Sequence, residues 1–366
     1  LKVNIFPIAY EDLEITSATK TLVGNISVAG NFTNNGATLA GNHTVIFNGT
    51  AAQSIGGSTN TTFFGLTVNK ASNVLNINRP TTVINVLALT EGRLVLGNNN
   101  LTYGGTEGNL TRTNGWIETN GTGAFVRTGT PATANNFYVG DASAMRNVIL
   151  SNFSSGTSVR FTSPIAPSTV AGNQATGMWI LNGSGAGNIT LQNVGANPNG
   201  SSRVFQSNAG AAWTAVATNP PSPPNFTSAN TIALAPNQRF TVFSPIAQSI
   251  TFNLSSPQAF TAGSIPLSAT ASSGLSVTFS SSDSGIASVS GNILTFEGTG
   301  TVSITASQAG GGIFAPAADV TRTIEIVTGT IPQTITFRTE LLTRAVGDPP
   351  FRLEAVASPD MMRPVS

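Results

Sequence analysis

This chain has no cysteine, one histidine and very few charges of either sign. Without cysteine there are no disulfides and no thiolate metal sites. Charged residues make up 8% of the 366, and the formal net charge is +1. That balance leaves no electrostatic footprint for nucleic acid or an anionic membrane. No apolar run approaches the roughly 18 residues that a membrane-spanning helix needs, so no membrane insertion is expected. Helical periodicity is nearly absent as well. The chain opens at Leu1 without a charged-then-apolar leader pattern and stops at Ser366 without an evident cap, so both ends read as cuts from a longer polypeptide.

Apolar residues are 40% of the chain and well distributed, enough to build cores despite the low charge. Short alternating runs of Val, Ile, Thr and Phe recur, broken by Asn-Gly, Gly-Gly and Pro. This is the pattern of an all-β protein. From Phe47 to Asn69 not one side chain is charged, and the polarity comes from Asn, Gln, Ser and Thr.

Apolar pairs two residues apart occur at Ile26/Val28, Val45/Phe47, Leu66/Val68 and Leu87/Leu89, with successive offsets of 19, 21 and 21 residues. Residues two apart on a strand share a face, so each pair can point inward. A period near 20 is what one coil of a stacked β-solenoid requires. Neutral Asn and Thr can stack on their own copies, whereas like charges would repel.

The reading therefore divides the chain into five parts. Residues 1–20 match no pattern, and 21–135 form a β-solenoid-like repeat region. Residues 136–245, with several short evenly spaced strands, form a β-sandwich. The motif Gln248-Ser249-Ile250-Thr251-Phe252 returns as Gln333-Thr334-Ile335-Thr336-Phe337, 85 residues later. Ala269 to Ser272 likewise returns as Ala355 to Ser358. Tandem immunoglobulin-like domains follow from that period, one at 246–329 and the start of a second, truncated one at 330–366.

The stretch Gly274 to Gly310 resembles the bacterial Ig-like repeats of large surface proteins. With Gln333 to Phe337 and Gly347-Asp348-Pro349-Pro350-Phe351 it looks most like those of Bacteroidota. Phe47 to Leu96 is similar to repeats in secreted proteins of the same group. The segment from Asn136 through Trp179 and Trp213 looks like their middle sandwich domain. This resemblance implies type IX secretion and an extracellular or outer-membrane surface location. It also implies either an adhesin or fibre component, or the non-catalytic, carbohydrate-binding arm of a larger polysaccharide-degrading enzyme. Asp283-Ser284-Gly285 resembles the O-glycosylation signal of that group, with Ser284 as acceptor.

Chemistry is sparse. His43 has no acidic neighbour closer in sequence than Glu14 and Glu91, and metalloprotease motifs need a second histidine. No carboxylate lies between Asp141 and Asp283, which excludes paired-carboxylate chemistry within the middle sandwich. Glu91, Glu107 and Glu118 are spaced by 16 and 11 residues, not by one coil. Glu11, Asp12 and Glu14 read as a solvated patch and not as a calcium site. Trp179 and Trp213 read as core, while Trp116 and nearby Tyr103 are the candidate sugar-stacking residues. The expectation is a non-enzymatic protein with no cofactor. Its candidate partners are further copies of itself, in a homo-oligomer or filament, and a cell-surface or extracellular polysaccharide.

Overall fold

The computed structural model describes residues 3–130, 133–151, 154–163, 177–192, 203–208, 213–218 and 225–329, plus the backbone of the strands Thr334–Phe337 and Ala355–Ser358. The fold is all-β. Among the described residues the only helical turns are Glu107–Asn109 and Phe260–Ala262, and no helix is long and apolar enough to cross a membrane. The chain divides into two compact units, Leu1–Ile246 and Ala247–Ser366.

The first unit opens as a β-solenoid of parallel ladders on three faces. One face stacks Ala9–Tyr10, Ile26–Val28, Thr44–Phe47, the middles of Thr61–Ile77 and Thr81–Val95, and then Leu110–Arg112. A second stacks Leu13–Thr16, Phe32–Asn35, Gln53–Gly57, the ends of the two long strands, Trp116–Glu118 and Val139–Gly140. On the third, Val3–Ile5, Thr19–Leu22 and Thr38–Ala40 form one sheet. The starts of the long strands, Leu101–Tyr103 and Phe125–Arg127 continue that side.

The apolar pairs of the sequence are the rungs of the first face. Val45 pairs with both Ile26 and Leu66, Phe47 with both Val28 and Val68, and Leu87 and Leu89 follow in the same register. All of these side chains are buried. Phe32, Phe47 and Phe63 meet edge-to-face inside the coils, with centroids 5.2 to 6.4 Å apart. Burying each large apolar side chain contributes roughly 1.5–3 kcal/mol. The ladder outruns the apolar repeat by one step, because Leu87 and Leu89 pair with Leu110 and Arg112. Arg112 instead donates from Nε to Gly115 O (2.8 Å) and lies over the Tyr138 ring.

At the corners the backbone leaves the ladder, and its polar groups need other partners. Asparagine supplies a donor and an acceptor without charge. Asn25, Asn31, Asn35, Asn98 and Asn100 accept from the backbone N–H of Thr44, Ser54, Ser58, Thr122 and Ala124, each one coil on, at 2.8 to 3.1 Å. Asn73, Asn76 and Asn99 donate back to the carbonyls of Thr50, Gln53 and Ile77. These staples are the physical reason for an asparagine-rich, charge-poor sequence.

The parallel stack ends at Phe125–Arg127, whose free edge takes the antiparallel strand Thr157–Thr162. The sheet continues antiparallel through Met178–Asn182, Gln238–Phe243, Arg203–Asn208 and Thr214–Val216. A second antiparallel sheet holds Asn135–Phe137, Val148–Leu150, Ile189–Leu191 and Phe226–Thr227. Phe137, Leu150, Ile189 and Phe226 share one core with Phe161, Trp179, Leu181, Phe240 and the solenoid. The stretch from 136 onward is thus joined to the solenoid by sheet and by core.

In the second unit, Gly300–Ser307 and Val320–Val327 form the centre of a four-stranded sheet. A three-stranded sheet and the pair Ile250–Phe252/Ala269–Ala271 close over Phe252, Leu267, Leu294, Ile304 and Ile324. The repeated motif has one structure in both copies. Phe252 pairs with Ala269 and Phe337 with Ala355, in matching antiparallel strands.

One buried charge has no counterpart in the apolar pattern. Lys70 is fully buried, and its Nζ donates to Gly49 O, Ala51 O and Gln53 Oε1 on the preceding coil. Burial pushes its pKa down. Replacing it by alanine takes the donor from the Gly49 and Ala51 carbonyls, while Gln53 Oε1 keeps the Gly49 N–H (3.0 Å), so Lys70→Ala is expected to cost about 3 kcal/mol. Urea unfolding measures this, and an unchanged midpoint would show that the amine does not hold the coils together.

Candidate functional site

Where the solenoid passes into the antiparallel sheet, the walls leave a cleft of about 280 Å³. Glu118, Thr119 and Asn120 line one side, the turn Asp141-Ala142-Ser143 another, and Phe161, Thr162 and Ser163 the third. The position follows from topology. Trp116–Glu118 is the last rung to pair in parallel with a neighbour on both sides. Beyond it, Thr119 Oγ1 donates to Phe161 O (2.7 Å) and accepts from Phe161 N (2.8 Å), tying the coil to the first antiparallel strand.

Two carboxylates stand in the cleft and both are engaged. Glu118 is buried and ion-paired with Arg93 on the coil before it. Asp141 Oδ1 accepts from Ser143 N (2.7 Å), Ser143 Oγ and Ala144 N (2.9 Å), and Arg146 Nε lies 3.9 Å from Oδ2. Burial alone would raise the Asp141 pKa. The Ser143 and Ala144 hydrogen bonds and the Arg146 charge outweigh it and hold the carboxyl below its ordinary value. A general acid needs the opposite shift, so Asp141 is not set up to donate a proton at neutral pH.

Trp116 is half-buried beside the cleft, and its indole Nε1 donates to Asp141 O at 2.9 Å. Tyr103 is not at the surface. It is fully buried, and its hydroxyl donates to Thr106 O (2.8 Å) and Asn85 O (3.0 Å). Burial is the first cause of a pKa pushed up to about 12. The Arg127 guanidinium lies over its ring at 5.6 Å. The expectation that Tyr103 offers a ring face to sugar is corrected: Leu101-Thr102-Tyr103 alternates inward at Leu101 and Tyr103, which makes the tyrosine a core residue. The two candidate residues therefore do not form one surface.

Trp179 is buried with Nε1 donating to Arg146 O (2.8 Å), and Trp213 is half-buried. His43 sits between the bend at Gly41-Asn42 and the strand Thr44–Phe47. Ser284 is exposed on a turn in which Asp283 Oδ1 accepts from Gly285 N (2.8 Å). Among the described residues no three His, Cys, Asp or Glu converge as a metal site. Sequence reasoning missed the cleft, because Glu118, Asp141 and Thr162 meet only once the antiparallel turn is made. The one available signal was the end of the 20-residue repeat next to a tryptophan. Compared with known proteins, the chain matches no family model, no curated protein sequence and no solved structure.

Asp141 generates a pH test. Its lowered folded pKa adds stability that is fully present above about pH 4 and is lost as the pH falls through the folded value. Asp141→Asn is expected to lower the melting temperature at pH 7 and to shrink the acid-side fall of the native protein. A variant that melts like the native chain from pH 7 to pH 2 would rule this out.

Proposed function

We propose that this chain is a non-enzymatic extracellular structural or adhesive protein, a segment of a large surface adhesin or self-assembling fibre. The observation that carries the reading is the use made of the solenoid's carboxylates. Asp12 holds Asn31 N, Glu14 holds Asn35 Nδ2, Glu91 holds Asn114 Nδ2, Glu107 holds Arg127, and Glu118 holds Arg93. Each bond joins one coil to the next, so acidic groups that an enzyme would keep for substrate are spent on the stack. Ladders on three faces with side-chain staples at the corners load many hydrogen bonds together, which suits a part that bears tension.

The repeated strand pair of the second unit supports tandem Ig-like modules, as does the likeness of Gly274 to Gly310 to bacterial surface repeats. Display at the outer-membrane surface by type IX secretion belongs to the same reading. Strand edges are templates for pairing with further copies, and low charge removes a barrier to it. The cleft favours a second reading, the carbohydrate-binding arm of a larger secreted enzyme. Asn120, Ser143 and Thr162 offer neutral polar groups there, with Trp116 at the margin.

Electron microscopy of the intact parent protein, isolated from its source without proteolysis, separates the two. Fibres or rings with this segment at the intersubunit contacts are the expected result. Single particles carrying an extra globular domain would sink it in favour of the enzyme arm.

A further inference from the structure

The antiparallel sheet that ends the solenoid carries arginines and no acid. Arg160 stands opposite Ile180, and Ile180 opposite Arg239, in consecutive antiparallel pairs. Directly opposed side chains share a face, so both arginines rise on the same side of the sheet, with backbones about 10 Å apart. Long guanidinium side chains easily span that gap over Ile180, which is itself buried. Their charges are felt: burial first, and then the Arg239 charge, push the Arg160 pKa down.

Elsewhere in the first unit the arginines are occupied. Arg93, Arg127 and Arg146 face carboxylates, while Arg79 and Arg112 donate to backbone carbonyls. Arg160 uses Nη1 for one bond to Gly121 O (3.2 Å). Arg239 Nε is buried and without a hydrogen-bond partner. Among the described residues neither arginine meets a carboxylate, and the sequence has none from Ala142 to Ser282. Two half-buried like charges side by side cost free energy unless an anion joins them.

We propose that Arg160 and Arg239 form a binding site for one oxyanion group, the carboxylate or sulfate of an acidic polysaccharide, held between the two guanidiniums above Ile180. Planar forks suit such a group, since each can donate two parallel N–H bonds to its oxygens. Ser158 and Asn182, opposed one step along the same face, lie where the adjoining sugar hydroxyls would fall. The polysaccharide as carrier rests on the extracellular reading above, whereas the oxyanion does not.

The test is calorimetric titration of the full chain with sodium sulfate, dextran sulfate, polygalacturonate and neutral dextran. The expected result is salt-sensitive binding of at least one acidic polymer, none of neutral dextran, and competition by inorganic sulfate. Arg160→Gln with Arg239→Gln should weaken that binding about tenfold or more, with the melting temperature kept. Should the double variant not fold, Arg239→Gln alone carries the test, because its Nε makes no bond that the fold would lose. Dextran sulfate without polygalacturonate would identify sulfate as the group, and the reverse a carboxylate. Arginine-dependent binding of inorganic sulfate alone would keep the oxyanion site and overturn the polysaccharide. Equal binding of neutral dextran, affinity unchanged by the substitutions, or no binding at all would overturn the proposal.

Discussion

The in-register parallel ladder between coils is the constraint from which the rest of the first unit follows. Once Val45 must lie between Ile26 and Leu66, each position of a coil faces its own counterpart above and below. A charge placed there meets another charge or nothing, and neutral polar residues escape the difficulty. Asparagine goes further by using the repeat itself, reaching one coil forward or back to pair the corner amides and carbonyls. The few charges that persist obey the same geometry. Arg93 with Glu118 and Arg127 with Glu107 are cross-coil pairs, and Lys70 takes three neutral acceptors from the coil before it.

How much of this was legible depended on whether a residue's partner repeats. The pairs at Ile26, Val45, Leu66 and Leu87 announced both period and register, because one face of the solenoid keeps the same apolar type on every rung. The third face did not announce itself. Its rung Val3, Lys20 and Leu39 changes character from coil to coil. Arg112 ended the visible repeat one step before the ladder ends, since packing over Tyr138 lets an arginine take an apolar rung's place. Tyr103 could have been read correctly. It stands two residues after Leu101, like every inward pair, and two backbone carbonyls satisfy its hydroxyl. Lys70 could not have been, because two of its three partners are backbone carbonyls, which leave no mark on a sequence.

The change from parallel to antiparallel pairing explains where empty space and unusual charge collect. A regular solenoid fills its interior by stacking like on like. At Phe125, pairing with Val159 reverses strand direction, and the next side chains no longer stand over copies of themselves. Some are drawn in to close the core, as Phe161 and Trp179 are, meeting edge-to-face at 5.1 Å. Others are left around a gap, and the cleft lined by Glu118, Asp141 and Thr162 is that gap. Asp141 is fixed there by its own turn, and Trp116, on the rung opposite Arg93, is tied to it through its indole N–H.

The two regions also handle charge by different rules, for the same reason. Inside the solenoid Arg93 and Arg127 each meet a carboxylate one coil away, and Arg79 and Arg112 take backbone carbonyls, so compensation is local and internal. The antiparallel sheet has no such neighbour. Its rungs come from strands far apart in sequence, Thr157–Thr162, Met178–Asn182 and Gln238–Phe243, none of which contains an acidic residue. Arginines on one face of that sheet, on either side of Ile180, cannot be structural ion pairs of the solenoid kind. A sequence that is sparing with charge everywhere else, yet sets two guanidiniums on one face without an acid, requires their counter-charge to come from outside this sheet.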